Sequence, residues 1–261
     1  MGLFDDDINI AQTPFGSEPQ GAFNEETNGL EDIHERHVAC ILLIDTSGSM
    51  AAGNAIGQLN EGLRAFKEQI SKNKDIKGRI DVAFISFGPN VVLHGKNGTS
   101  YRKGESFELK NVFVPAGEMN PPFLTASGGT PMGEALEWSL DIITQQKARY
   151  AKVGVPYYRP WIFCMTDGEP NDSYLMSAQK LKQMQDKRGV IGYCVGVENY
   201  DKNTMSAIFD KNRILELKGL NFIELFEFLS NSLIATGTSD PNGTGVDVPL
   251  PASVQPSFRM G

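Results

Sequence analysis

A carboxylate and two hydroxyls follow directly after a long apolar run near the start of the chain. The run Val38–Ile44 has seven consecutive apolar residues, and Asp45-Thr-Ser-Gly-Ser-Met50 comes immediately after it. An uninterrupted run of this kind is typical of a strand that is covered on both faces of a parallel sheet. Ligands of such sheets collect at the carboxyl ends of the strands. Asp45, Ser47 and Ser49 therefore occupy a position where a ligand would bind.

The types of these side chains favour a hard divalent cation. The three residues alternate along the chain, so a loop that leaves the strand can direct their oxygens toward one point. Carboxylate and hydroxyl oxygens without Cys or His suit Mg²⁺, Mn²⁺ or Ca²⁺ better than zinc. The alternative is a turn whose Asp and Ser side chains cap the following helix. This segment alone leaves both alternatives open.

Two further segments place oxygen donors at the boundaries of predicted elements. In Ala126–Leu136, Thr130 follows two glycines and directly precedes a helix that opens with Pro. Trp161–Pro170 begins as a second apolar run, and Asp167 follows that run. Each segment adds one oxygen donor where a loop begins or ends. The three segments together favour the metal site over the helix cap.

These residues resemble the metal-ion-dependent adhesion site (MIDAS) of von Willebrand factor A domains, where an Asp-x-Ser-x-Ser loop, a later Thr and a later Asp converge on one ion. The resemblance covers residues 36 to about 236. It implies that Ser47, Ser49 and Thr130 are hydroxyl ligands, and that Asp45 and Asp167 hold the ion directly or through water. The expected ion is Mg²⁺, with Mn²⁺ or Ca²⁺ as alternatives.

A narrower resemblance concerns a bacterial branch of this family. Phe113-Val-Pro, the stretch Asn120-Pro-Pro-Phe-Leu-Thr-Ala-Ser-Gly-Gly-Thr-Pro-Met-Gly and Met165-Thr-Asp-Gly-Glu-Pro are similar to segments of the TerY-like tellurium-resistance proteins. This resemblance implies a role in a bacterial stress-response, tellurite-resistance or defence system. It also implies a protein kinase or phosphatase of the same system as the partner.

The alternation of strand and helix patterns predicts an α/β fold. We expect a doubly wound, mostly parallel sheet of six strands with helices on both faces. Val91–His94 should be the antiparallel edge strand, because only the tight turn at Pro89-Asn90 separates it from the preceding strand. The strand order 3-2-1-4-5-6 is taken from the family resemblance. The predicted strands are 38–44, 79–87, 91–94, 161–166, 190–197 and 213–217, and the predicted helices lie near 56–70, 134–144, 174–187, 203–209 and 222–235.

The two ends of the chain have a different composition from the centre. Residues 1–35 are predicted to form a flexible acidic tail, residues 36–236 the folded domain, and residues 237–261 a flexible tail rich in Gly, Pro, Ser and Thr. Sparse apolar residues in the tails are candidates for ordering on a partner. They are Leu3, Phe4, Phe15 and Phe23 in the first tail, and Val246, Val248, Leu250, Val254 and Phe258 in the second.

Composition restricts the class of protein further. The 261 residues are 40% hydrophobic and 21% charged, with a formal net charge of −8, which is typical of a globular protein. The acidic balance argues against nucleic-acid binding, which needs clustered Lys and Arg. No apolar stretch approaches the ~20 residues that cross a membrane, and Met1–Asp7 lacks the basic start and apolar core of a secretion signal. We therefore expect a cytoplasmic protein with no membrane or nucleic-acid partner.

The cysteines and histidines do not predict a second metal site. The three cysteines fall inside predicted strands at irregular spacing, which is typical of small buried apolar residues. His34 and His37 are one helical turn apart, but no third nitrogen or sulfur ligand stands nearby to complete a zinc site. His94, at the end of an edge strand, is expected to be exposed.

The donor set favours binding over catalysis. Two carboxylates and three hydroxyls leave an open coordination position, which an Asp or Glu of a partner protein can fill. Hydrolysis of a phosphoester by a metal-bound water is an alternative, but no general base or nucleophile is evident beyond the ligands. A third alternative is an ion that only ties the loops together. The residues expected to border the site are Met50, Gly53, Met132, Glu169 and Asn171, with the methionines offering adaptable apolar contacts.

Overall fold

The computed structural model describes residues 29–198, 200–239 and 248–258. Within these residues, one mixed sheet of nine strands has helices packed on both faces. The strands are β1 Val38–Asp45, β2 Ile80–Phe87, β3 Val91–His94, β4 Ser100–Tyr101, β5 Val114–Pro115, β6 Trp161–Thr166, β7 Ile191–Val197, β8 Ile214–Leu217 and β9 Val254–Pro256. The helices are α1 Ala55–Lys72, α2 Leu109–Val112, α3 Met132–Val153, α4 Leu175–Asp186, α5 Lys202–Ile208 and α6 Phe222–Thr238, and a 3₁₀ helix spans Gly48–Asn54.

The α/β fold and the order of the six predicted strands are confirmed. The strands follow one another as β4-β3-β2-β1-β6-β7-β8-β9, with β5 also paired to β2. Strands β2, β1, β6, β7 and β8 are parallel, and β3 is antiparallel to β2. The predicted total of six strands is wrong, because β4, β5 and β9 also join the sheet. These three strands have two or three residues each, too few for a repeating pattern to show in the sequence.

The central strand β1 is fully buried because both of its faces are covered. Its even-numbered apolar residues, such as Leu42, pack into a core with α1 and α6. Its odd-numbered residues, such as Ile41, pack into a second core with α3. This double burial explains the uninterrupted apolar run in the sequence. The three cysteines, Cys40, Cys164 and Cys194, are buried as predicted.

The end of the chain differs from the predicted flexible tail. Helix α6 continues to Thr238, and β9 pairs with β8 in antiparallel fashion, with Val254 only 3% exposed. The Ser253 hydroxyl donates to Glu224 Oε2 at 2.6 Å and fixes this segment beside the first turn of α6. Strand β9 has three residues, of which only Val254 is buried, and so short a pattern does not predict a strand. The tail residues Leu3, Phe4, Phe15, Phe23 and Val246 lie outside the described residues.

A polar network lies inside the second core, at the amino ends of β1 and β2. His37 Nδ1 is 2.7 Å from Asp81 Oδ2, and the Tyr150 hydroxyl donates to the same oxygen. All three side chains are fully buried. Burial lowers the pKa of His37, but the charge and hydrogen bond of Asp81 more than offset this effect, so the pKa is raised. Asp81 therefore favours the protonated form of the buried imidazole.

His94 is partly buried, whereas the sequence predicted an exposed side chain. Strand β4 pairs with β3 and covers the edge on which His94 lies. Its Nε2 is 2.8 Å from the Ser86 hydroxyl, and burial lowers the pKa of His94 to about 4. The neutral imidazole is thus the form that the fold stabilises.

Replacing His94 by glutamine is expected to reduce the amount of stability that the protein loses as the pH falls. Because the folded pKa is below the unfolded value, the unfolded chain binds the proton more readily, and stability falls as the pH drops from 6.5 toward 4. The expected loss for this group is about 2–3 kcal/mol over that range. Urea unfolding of the metal-free protein along this pH range measures it, with the exposed His34→Gln as the control. Equal pH slopes in the wild type and His94→Gln would contradict the assignment.

Candidate metal centre

The first loop of the site begins where β1 ends and is held by backbone hydrogen bonds. Asp45 is the last residue of β1, and the 3₁₀ helix begins at Gly48. The Gly48 N–H donates to the Gly128 carbonyl at 3.0 Å, and the Ser127 N–H donates to the Thr46 carbonyl at 2.8 Å. These two bonds bring the loop that carries Thr130 against the loop that follows β1.

Three of the predicted ligands form a continuous chain of oxygen contacts. Ser47 Oγ is 3.0 Å from Ser49 Oγ, and the Ser49 hydroxyl donates to Asp167 Oδ1 at 2.8 Å. Adjacent ligands of an octahedral Mg²⁺ ion, with metal–oxygen distances of about 2.0–2.1 Å, are themselves about 2.9 Å apart. The three oxygens, which are hydrogen-bonded to one another here, are therefore close enough together to act as adjacent ligands of such an ion. Their type and their gathering at one point are what fit a divalent ion.

Thr130 lies close to the residue that follows Asp167. A Cβ placed on Gly168 would lie 3.5 Å from Thr130 Oγ1 and 3.8 Å from Ser49 Oγ. The Thr130 and Ser49 hydroxyls therefore both lie near Gly168. The floor of the site is closed, with Asp45, Ser47 and Thr130 buried, whereas Ser49 is exposed and Asp167 partly so. An incoming group would reach the site from the side of these last two residues.

Asp45 is oriented by two hydrogen bonds at the floor of the site. Its Oδ1 accepts from the Ser47 N–H at 2.8 Å, and its Oδ2 accepts from the Thr166 hydroxyl at 2.6 Å. Thr166 is a functional residue that sequence reasoning missed. The only indication in the sequence was that Thr166 lies between an apolar strand and Asp167, where its hydroxyl can turn toward Asp45.

In the absence of a cation, burial disfavours the ionised forms of Asp45 and Asp167. Burial raises the pKa of Asp45 to about 6, although hydrogen bonds from Ser47 and Thr166 lower it, and the charge of Asp167 raises it further. Burial also raises the pKa of Asp167, against a hydrogen bond from Ser49. A divalent cation bound between them would offset both costs, and it would supply a Lewis-acidic position for an oxygen ligand. The residues thus fit the ion in charge as well as in spacing.

Not every residue expected around the site borders its surface. Met50 and Met132 are fully buried, because the helical turns in which they lie direct their side chains into the two cores. Among the described residues, the most exposed large apolar side chains are instead Phe123, Leu175 and Met176, at 77%, 70% and 79%. Phe123 lies in the segment that leads to Thr130, and Leu175 and Met176 lie in the first turn of α4, which follows the loop that carries Asp167.

In the part of the chain that the structure describes, nowhere are three or more His, Cys, Asp or Glu side chains gathered as possible metal ligands, and the candidate site itself has two carboxylates. His37 is bonded to Asp81, at the opposite end of the sheet from Asp45. Among the same residues, no helix is both long and apolar enough to span a bilayer.

The protein is thus a doubly wound α/β domain with oxygen-bearing side chains gathered at the carboxyl end of its sheet. The sequence model of the von Willebrand factor type A domain matches residues 40–224. The chain therefore belongs to this family. A comparison with curated proteins gave no match.

Solved structures show the same fold at low sequence identity. The pilus adhesin SpaC of Lactobacillus rhamnosus GG is 16% identical with a TM-score of 0.56, over 80% of this chain and 32% of SpaC. The vWF domain of the type V pili tip protein Mfa5 of Porphyromonas gingivalis is 10% identical with a TM-score of 0.53, over 79% of this chain and 98% of that domain. Proximal thread matrix protein 1 of the mussel byssus is 17% identical with a TM-score of 0.49, over 77% and 48% of the two chains. The chain thus spans about half of the mussel protein and a third of the adhesin.

Proposed function

We propose that this protein is a metal-dependent protein-interaction module with a MIDAS. In this proposal Asp45, Ser47, Ser49, Thr130 and Asp167 hold one Mg²⁺, or Mn²⁺ or Ca²⁺ in its place. An Asp or Glu of a partner protein fills the open coordination position. The observation that carries the proposal is the run of oxygen contacts from Ser47 through Ser49 to Asp167, at the spacing of an octahedral ion's ligands.

The surroundings of the site support protein binding. Exposed Phe123, Leu175 and Met176 offer apolar area on the segments that lead to Thr130 and follow Asp167, and aromatic residues and Met are enriched at protein interfaces. Without metal, Asp45 and Asp167 would repel an incoming carboxylate, so partner affinity would depend on the ion. Catalysis lacks comparable support, because His37 and His94 are engaged with Asp81 and Ser86.

The biological setting is a second part of the proposal. The similarity of the segments around Phe113, Asn120 and Met165 to TerY-like proteins supports a role in a bacterial stress-response, tellurite-resistance or defence system. A protein kinase or phosphatase of that system is the proposed partner. We place the interaction in residues 36–236 and in the cytoplasm.

Removing two hydroxyl ligands is expected to abolish partner binding without unfolding the domain. The test compares the wild type with Ser47→Ala/Ser49→Ala as immobilised bait in a cell extract, with and without chelator, and identifies bound proteins by mass spectrometry. We expect a partner that the wild type retains only with Mg²⁺ and that the double variant does not retain. The melting curve of the metal-free variant should stay near that of the wild type, because exposed Ser49 and the small Ser47 contribute little packing.

Ser100→Ala/Ser206→Ala, which changes one exposed and one partly buried serine elsewhere, serves as the matched control. A partner retained equally with chelator would contradict the proposed function. Loss of folding in Ser47→Ala/Ser49→Ala would favour an ion that only ties the loops together. Hydrolysis of a phosphoester by the purified protein, lost in Asp167→Ala, would replace the interaction module by an enzyme.

A further inference from the structure

The loop after Asp167 is bonded to the segment that carries Thr130. The Asn171 N–H donates to the Thr130 carbonyl at 3.0 Å. One residue further on, Asp172 accepts two backbone hydrogen bonds from the first turn of α3. Its Oδ1 accepts from the Gly133 N–H at 2.9 Å, and its Oδ2 accepts from the Glu134 N–H at 2.8 Å. Both oxygens of one carboxylate thus bind a helix that follows Thr130.

Asp172 supplies a cap that the helix does not supply for itself. The first N–H groups of an α-helix have no partner within the helix, and a carboxylate near this end is stabilising. The residue before α3 is Pro131, which makes no side-chain cap. The cap comes instead from a loop that is 38 residues away from Glu134 in sequence. The hydrogen bonds that complete α3 therefore also join the two loops of the metal centre.

The two loops are packed closely enough for their relative position to be fixed. A Cβ on Gly133 would lie 2.3 Å from the Ser173 carbonyl oxygen and 2.9 Å from the Tyr174 Cα, both of which are backbone atoms. A Cβ on Gly129 would lie 2.0 Å from Asn171 Nδ2. At Gly133 the two segments therefore meet backbone to backbone with no room for a side chain, whereas at Gly129 the close neighbour is the Asn171 side chain.

We propose that Asp172 is a positioning residue for the metal centre. It holds the loop of Asp167 at a fixed distance from the loop of Thr130, and it does not itself bind the ion. Mg²⁺ requires near-ideal octahedral geometry, so a ligand set divided between separate loops binds tightly only if the loops are held in place. The inference rests on the proposed function, because it assigns a role toward that same ion.

The test compares Mg²⁺ and Mn²⁺ affinity in Asp172→Ala and Asp141→Ala by titration calorimetry. Asp141 also joins α3 to α4, through Lys180 Nζ at 2.5 Å, but it lies more than two helical turns beyond the start of α3. It is therefore a matched control for a general loss of packing between the helices. We expect affinity to fall about 10–100-fold in Asp172→Ala, as for other residues that orient metal ligands, and to stay unchanged in Asp141→Ala.

A second variant and a second measurement separate positioning from folding. Asp172→Asn keeps one of the two acceptor oxygens, so we expect an affinity between those of the wild type and Asp172→Ala. Hydrogen exchange of the metal-free protein should show that the Gly133 and Glu134 amides lose protection in Asp172→Ala and keep it in Asp141→Ala. This measurement reports the two hydrogen bonds of Asp172 independently of metal binding.

The outcomes distinguish this inference from the proposed function. If the wild type binds neither Mg²⁺ nor Mn²⁺, the proposed function fails, and the role of Asp172 fails with it. If the wild type binds metal and Asp172→Ala and Asp172→Asn bind it equally well, only the role of Asp172 is overturned. An equal loss of affinity in Asp141→Ala would also overturn it, because helix packing in general would then be the cause.

Discussion

Asp45→Ala is expected to abolish Mg²⁺ binding. Asp45 is the fully buried ligand at the floor of the site, and its two oxygens are already oriented by Ser47 and Thr166. Its loss removes one of the two negative charges that compensate the cation, and no neighbouring group replaces it. Titration calorimetry measures the loss directly. In the wild type, Mg²⁺ at about 100 times its dissociation constant should also stabilise the fold by about 2.7 kcal/mol, and Asp45→Ala should show no such gain.

The metal-free protein provides the control for this prediction. The pKa of Asp45 is raised to about 6 in the fold, so the folded protein binds the proton more readily than the unfolded chain does. This contribution to stability is full at acid pH and is lost as the pH rises through about 6, with a total of about 3 kcal/mol. Asp45→Asn should remove that pH dependence and should fold as well as the wild type at neutral pH without metal. Unchanged Mg²⁺ affinity in Asp45→Ala would contradict the metal centre.

Asp81→Ala is expected to lower the free energy of unfolding by about 3–5 kcal/mol, because removing one partner of a buried ion pair leaves the other partner buried and uncompensated. The substitution leaves His37 and the Tyr150 hydroxyl buried without the carboxylate that both contact. Chemical denaturation at neutral pH measures the effect. Asp186→Ala, at an exposed position at the end of α4, is the control and should change stability by less than about 0.5 kcal/mol.

The cost of Asp81→Ala should also depend on pH. The folded pKa of His37 is raised, so its contribution to stability is full below about pH 6.5 and is lost as the pH rises through the folded pKa. The difference between the wild type and Asp81→Ala should therefore shrink at alkaline pH. A difference below about 1 kcal/mol at neutral pH would show that the network does not stabilise the fold.

The parts of the structure that the sequence predicted are those with long or distinctive patterns. Strand β1 has eight buried residues, and its apolar run shows that both faces are covered. The strand order followed from the family resemblance and not from the pattern itself. The five proposed ligands were selected because they lie at or near the boundaries of predicted elements and because together they resemble the residues of a MIDAS.

Other features depend on contacts that a linear pattern does not contain. Strands β4 and β5 have two residues each, so they show no period. Met50 was expected at the surface and is buried, since the direction of a side chain in a short 3₁₀ helix depends on the turn's exact placement over the core. The bonds of Asp172 to α3 join residues 38 and 39 positions apart, and only the folded backbone brings them together.

The short outer strands have a consequence for how the molecule behaves at high concentration. A sheet edge presents unpaired backbone groups that can recruit a strand from another molecule, and short edge strands and Pro limit this. Here the edges are β4, with two residues, and β9, with three residues ending at Pro256. A shortened protein that ended at Thr238 would uncover β8, which contains Leu215 and Leu217. We expect such a protein to aggregate more readily at high concentration, because β9 would no longer cover this edge.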